Sequence, residues 1–211
     1  MADNAYHQTR FTADPRRRVL WQTLVKYIFQ KQIPPDATVL ELGAGYGDFI
    51  NCVQARRRLA VDCWAGMTAH LEPGVEGLVT CVTQLAGVAD NSVDYVLASN
   101  CFEHISQTKL VDCLAQLQRK MKRGATLTII QPNYKYAFRE YFDDYTHVSI
   151  YTDRSLGDLL TANGFQITRC EPRFLPLTIQ GGAPVHPLLI RLYLASPFKP
   201  FGKQMLISAT R

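Results

Sequence analysis

The stretch VLELGAGYGDFI, residues 39 to 50, constrains this chain more than any other. An apolar run enters a loop with glycine at 43, 45 and 47 and leaves it toward what could be a helix. Glycines at that spacing suit a strand that turns sharply and lets a ligand approach its backbone. A dinucleotide fingerprint would need its third glycine at position 48, which is Asp48. A phosphate-binding loop would need Gly-Lys-Ser/Thr, and none is present. Glu41 and Asp48 flank the loop with carboxylates that repel a pyrophosphate and favour a cation. S-adenosyl-L-methionine has an adenosine, no phosphate, an ammonium and a sulfonium, so it is the ligand this loop is expected to take.

Asp62 lies nineteen residues after Gly43, at the end of a second expected strand. There a carboxylate binds a ribose hydroxyl pair, although a single Asp at a strand end also serves as a turn former.

Short apolar runs alternate with helical patterns, which predicts an α/β fold with a largely parallel sheet. Strands are expected at 38–42, 59–62, 78–82, 93–98, 125–130, 165–169 and 205–210. Val19, Trp21, Leu24, Val25, Ile28 and Phe29 form a helical pattern closed by Pro34-Pro35. Further helices are expected at about 108–122, ended by Gly124, at about 153–162, capped by Gly164, and in PLLIRLYLA. Six prolines otherwise break residues 171 to 203. With 211 residues, 47% of them hydrophobic, one domain is expected over 1–211, with an N-terminal helical segment at 1–35.

From Tyr134 to Tyr151, seven of eighteen residues are Tyr or Phe. Such a stretch reads as a lid or insertion rather than a strand. Its rings are equally suited to line an acceptor site or to pack locally.

The net charge of +5 comes with basic runs at 16–18, 56–58 and 119–123. The last two fall at expected helix ends, so solvated faces are favoured over a nucleic-acid footprint. Six scattered cysteines without a C-x-x-C pair predict neither a zinc nor an iron-sulfur site, and no metal is expected. A polar N-terminus and the absence of an apolar run near ~18 residues point to a reduced cytoplasmic chain without stable membrane insertion. The segment LLIRLYLASPFKPF is short, and a core helix accounts for it better than a membrane contact.

VLELGAGYGDF, AVD at 60–62, DNSVDYVLASNCFEHI at 90–105 and MKRGATLTIIQPN at 121–133 stand in an order that resembles class I S-adenosylmethionine-dependent methyltransferases. YFDDYTHVSIYT, RFLPLT at 173–178 and PFGKQMLISA are similar to small methyltransferases of bacterial biosynthetic gene clusters, some glycan-related. The resemblance implies a doubly wound, seven-stranded, mostly parallel sheet whose last strand is antiparallel. It implies that Glu41, Gly43, Gly45 and Tyr46 line the methionine end of the cofactor, that Asp62 takes the ribose, and that Ser99 and Asn100 face the reacting methyl. Many relatives have an acidic residue after the third strand. Here CVTQL leaves Val82 and Thr83 to meet adenine through backbone groups.

Transfer to a hydroxyl needs an in-line nucleophile and is helped by a base, for which histidine is suited. His147 in the aromatic stretch and His104 in CFEHI are the candidates, with Asp144 and Tyr145 beside His147. The Glu-His pair also recurs in the family as a structural motif. Tyr134, Tyr136, Phe138, Tyr141 and Phe142 form the candidate acceptor wall; Arg10 and Arg18 could reach the cofactor carboxylate from the N-terminal segment, although surface solvation accounts for them better. The expected activity is O-methylation of a small-molecule acceptor, a carbohydrate or secondary metabolite. The alternatives are a catalytically inactive binding protein of the same fold and an RNA methyltransferase, which here lacks an N-P-P-Y signature and an appended binding domain. Nothing in the chain speaks to its oligomeric state.

Overall fold

A computed structural model describes residues 2–177 and 185–211, so Thr178 of RFLPLT lies outside the described residues. Seven strands form one sheet in the order β3-β2-β1-β4-β5-β7-β6. They are β1 (Thr38–Leu42), β2 (Arg57–Asp62), β3 (Val75–Val79), β4 (Val93–Ser99), β5 (Met121–Pro132), β6 (Gln166–Pro176) and β7 (Gly202–Thr210). β1 to β5 run parallel, whereas β7 is antiparallel to both β5 and β6. This is the expected doubly wound methyltransferase fold.

The period-2 alternation of the strands sends side chains to two cores. Leu40, Leu42, Leu59, Val61, Val96, Leu127 and Ile207 face Leu110, Leu114 and Leu117 of helix α3 (Gln107–Lys120) and Leu156 and Leu160 of helix α5 (Asp153–Ala162). Val39, Ala60, Tyr95, Leu97 and Leu206 face Leu24, Phe29 and Phe49 on the other side. Central strands buried on both faces are what a parallel sheet requires. Each buried aliphatic or Phe side chain contributes about 1.5–3 kcal/mol.

The N-terminal pattern forms α1 (Ala2–Thr9) and α2 (Pro15–Leu24), and α2 runs on into a π turn over Val25–Phe29 and a short 3-10 turn. Asp14 caps α2 by accepting the Arg16 amide at 2.9 Å. α5 and the helix α6 (Pro187–Ala195) have the expected bounds. In α5 the Thr152 hydroxyl accepts the Ser155 amide and the Ser155 hydroxyl accepts the Thr152 amide.

Four local expectations are corrected. The third strand lies three residues earlier than expected, because the apolar residues Cys81 and Val82 pack against the core from the loop after β3. Gly124 does not end α3. The helix stops at Lys120, and Gly124, at φ +78°, lies inside β5, where its amide meets the Arg211 carbonyl. Arg57 and Arg58 open β2 instead of closing a helix, with Arg57 paired to Glu76 at 2.8 Å. The chain after the glycine loop makes a run of turns, not a regular helix.

Between Tyr134 and Tyr151 no strand forms. The segment folds into a single helical turn α4 (Tyr134–Ala137), a 3-10 turn at Tyr141–Asp143 and loop.

Candidate functional site

Strand order reverses between β1 and β4, and the loops after these strands meet at their carboxyl ends, where open α/β sheets leave a crevice. Leaving β1, the backbone turns left-handed at Gly43 (φ +68°) and Gly45 (φ +51°). A Cβ on Gly43 would lie 2.9 Å from the Cys101 sulfur, and one on Gly45 would lie 2.6 Å from the Phe11 ring. Side chains are therefore excluded by both conformation and space.

The loop is pinned to the end of β2. The Gly43 and Ala44 amides donate to the Val61 carbonyl at 2.8 and 3.1 Å. The Gly45 amide donates to one Asp62 carboxylate oxygen at 2.8 Å, and the Trp64 amide donates to the other at 2.8 Å. Each oxygen keeps a further lone pair, so Asp62 can accept two more hydrogen bonds.

The flanking carboxylates are arranged differently from the sequence expectation. Glu41 is buried and accepts the Ile50 amide at 3.0 Å, and its burial holds the carboxyl well above the usual range. Asp48 is paired with Arg17 at 2.9 Å. Glu41 thus braces the loop while Arg17 offsets Asp48, leaving Asp62 as the carboxylate at the crevice.

Arg10 and Arg18 do not converge on the loop. Arg10 lies 3.8 Å from Asp144, and Arg18 pairs with Glu72 at 2.9 Å. What covers the loop instead is an aromatic group from the N-terminal segment. Phe11 packs on Gly45 and lies 5.4 Å from the Tyr46 ring, under the Arg17 guanidinium, which is 4.1 Å from the Phe11 centroid. His7 stacks on Trp64 with centroids 3.6 Å apart, and Tyr46 meets Trp64 and His70 edge-on. Sequence reasoning missed Tyr6, His7 and Phe11, although aromatic rings interleaved with polar residues in YHQTRF were an available signal.

Ser99 and Asn100 follow β4. Asn100 adopts φ 48°, its amide donates to the Ile130 carbonyl at 2.7 Å, and its side chain reaches the Ser99 hydroxyl at 3.3 Å. A left-handed backbone is tolerated by Asn better than by most residues. Thr83, after β3, is half-buried and donates its hydroxyl to the Cys81 sulfur at 3.2 Å.

A second group gathers beside this crevice. Residues 43 apart in the chain, His104 and His147, bring their rings within 4.8 Å of each other, and Tyr6 meets His104 at 5.6 Å. The Thr146 hydroxyl donates to Asp144 at 2.5 Å and lies 2.9 Å from Nδ1 of His104. Nδ1 of His147 lies 2.6 Å from the Tyr141 carbonyl. Burial lowers both imidazoles from their usual range, keeping them neutral. Burial works to raise the Asp144 carboxyl, but the Thr146 hydrogen bonds hold it below its usual value.

Glu103, next to His104, was not singled out as a site residue. It is fully buried, and burial pushes its carboxyl up to about 8. Its carbonyl takes the Val148 and Ser149 amides at 2.9 and 3.1 Å, tying the turn after β4 to the segment that carries His147.

The aromatic wall divides. Tyr141 is buried and donates its hydroxyl to the Ser149 carbonyl at 2.5 Å, so it packs the segment. Tyr134 is half-buried and meets Tyr141 edge-on at 5.2 Å. Phe138, Phe142 and Tyr145 are exposed, and Tyr136 lies under Arg173.

The Methyltransferase domain family matches residues 13–169. A malonyl-(acyl-carrier protein) O-methyltransferase of Methylococcus capsulatus is 31% identical over 158 residues, 67% of this chain and 56% of that protein. The chain therefore spans little more than half the length of that curated relative. Among solved structures, a SAM-dependent methyltransferase of Archaeoglobus fulgidus aligns with a TM-score of 0.70 at 21% identity, covering 98% of each chain. The geranyl diphosphate C-methyltransferase of Streptomyces coelicolor aligns at 0.63 and 15% identity, covering 90% of this chain and 78% of that one. These structures share the fold seen here, and the sequence match decides membership: the chain belongs to the methyltransferase-domain family.

Proposed function

We propose that this chain transfers a methyl group from S-adenosyl-L-methionine to an oxygen of a small acceptor, a carbohydrate or another secondary metabolite. The observation that carries the reading is the bridge between the Gly45 amide and Asp62 at the ends of β1 and β2. It leaves a carboxylate with two free acceptor positions beside a loop too tight for side chains and without a Lys-Ser/Thr phosphate grip. Those features fit an adenosine bearing a sulfonium.

In this reading Asp62 accepts the ribose hydroxyls, and Gly43, Gly45, Glu41, Tyr46, Ser99 and Asn100 shape the methionine end. Thr83 lies on the adenine side. When bound, the cofactor supplies an electrophilic methyl on a positively charged sulfur. The protein's part is mainly to align the acceptor behind that methyl and keep water out. Phe11, Tyr46 and Trp64 would close the crevice from the N-terminal side, and Tyr134 and Tyr145 border the acceptor space. An imidazole of the His104–His147 pair would accept the proton of the acceptor hydroxyl, with Asp144 orienting His104 through Thr146.

The relative from M. capsulatus is named for transfer to oxygen, which agrees with a histidine pair at the acceptor side. A nucleic-acid acceptor is disfavoured because Arg17, Arg57, Lys120 and Lys122 are engaged by Asp48, Glu76, Asp90 and Asp94. Calorimetric titration with S-adenosyl-L-methionine, its demethylated product and NAD tests the reading. Binding of the first two and not NAD is expected. Binding of NAD alone, or of none, would overturn it.

A further inference from the structure

Glu103 poses a problem that the methyl-transfer reading does not solve. It is 0% exposed, and neither carboxylate oxygen has a hydrogen-bond partner among the described residues. A buried carboxyl with no partner for either oxygen is an unused pair of acceptors, which a cation would satisfy. Beside it, one ring nitrogen each of His104 and His147 and a Glu103 carboxylate oxygen all lie within 4.8 Å of one another.

The hydrogen bonds around the two rings fix where their lone pairs are. A carbonyl can only accept, so Nδ1 of His147 carries the proton it shares with Tyr141. The Thr146 hydroxyl has one proton and gives it to Asp144, so it accepts from Nδ1–H of His104. Both rings therefore hold their free lone pair on Nε2. An imidazole whose Nδ1–H is held by a carbonyl or by a hydroxyl backed by a carboxylate is a metal ligand with its outer partner already in place.

We propose that Glu103, His104 and His147 bind one divalent transition-metal ion, with open coordination positions toward the acceptor side of the crevice. Two imidazoles and one carboxylate suit Zn2+, Mn2+, Fe2+ or Co2+ better than Mg2+ or Ca2+. Bonds of about 2.0–2.2 Å place ligand atoms roughly 3–4 Å apart, so the three side chains must close by about 1 Å. The ion would take up the Glu103 carboxyl oxygens that the fold leaves without a hydrogen-bond partner among the described residues.

The metal site itself stands without the methyl-transfer reading, but its use rests on it: an acceptor oxygen takes an open position. The ion then does what a free imidazole does above, lowering the cost of losing the hydroxyl proton.

The test is equilibrium dialysis of the chelator-treated full chain against Mn2+, read by electron paramagnetic resonance. Mn2+ is chosen because its preference for oxygen and nitrogen keeps it off the exposed cysteines. One bound equivalent is expected, with affinity reduced tenfold or more in Glu103→Gln and separately in His147→Ala, both folded by circular dichroism. Absence of binding at millimolar Mn2+, or unchanged binding in both variants, would overturn the site. A parallel titration with S-adenosyl-L-methionine separates the two ideas. Metal binding without cofactor binding removes the methyltransferase reading alone, and the reverse result removes the metal site alone.

Discussion

Replacing Gly43 by Ala puts the geometry of the loop to a quantitative test. Two costs add. Gly43 sits at φ +68°, and a left-handed backbone costs an L-residue about 1–2 kcal/mol. The new Cβ would also meet the Cys101 sulfur at 2.9 Å and the Cys101 Cβ at 3.0 Å. Cys101 is buried in the core cluster and cannot swing aside, so overpacking adds about 1–3 kcal/mol. Gly124 is the internal control, because it shares the left-handed backbone at φ +78° but a Cβ there meets nothing within 4 Å. Gly124→Ala should therefore cost only the backbone part. For a domain of this size about 3 kcal/mol lowers the melting temperature by about 6–12 °C, against about 2–8 °C for the control. Thermal unfolding followed by circular dichroism measures both. Equal shifts in the two variants would refute the claim that Cys101 closes the loop from behind.

Three other outcomes are expected. Arg17→Ala strips Asp48 of its partner and Phe11 of its cation, which should destabilise the chain by about 2 kcal/mol and speed proteolysis between residues 10 and 17, seen by mass spectrometry of limited digests. Glu41 is harder to ionise in the folded chain than its reference value of 4.5, so its stabilising effect holds below about pH 4.5 and is lost as pH rises toward the folded value, at about 1.4 kcal/mol per pH unit. Glu41→Gln should then be more stable than the parent in denaturant at pH 8 and show no advantage at pH 4, and an advantage confined to low pH would invert that logic. His147→Ala should lower kcat by about 10^2–10^4 while leaving cofactor affinity within twofold, and a near-normal kcat would remove His147 from the chemistry.

How much of this was legible depends on whether the signal was local. β1 could be bounded to the residue because an apolar run sits between Pro34-Pro35 and a glycine loop. α5 and α6 were equally clear, since Thr152 and Pro187 mark their starts. β3 was misplaced because it is an edge strand, paired only with β2, and its outer face carries little apolar signal. Asp62 could be named from its distance to Gly43, because the β-loop-β spacing is short. Its bridge to Gly45 could not be. Long-range partners left no trace in the one-dimensional pattern: Arg17 with Asp48, Phe11 on Gly45, and His104 beside His147 all depend on where the sheet returns the chain. Glu103 looked like half of a common Glu-His pair, and only its burial without a partner singles it out.

The most direct measurement is a crystal structure of the chain soaked with the demethylated cofactor. The account predicts density in the crevice between β1 and β4, with both ribose hydroxyls hydrogen-bonded to Asp62 and the sulfur facing the His104–His147 side. Density that leaves Asp62 without a ligand partner, or none at saturating concentration, would contradict it.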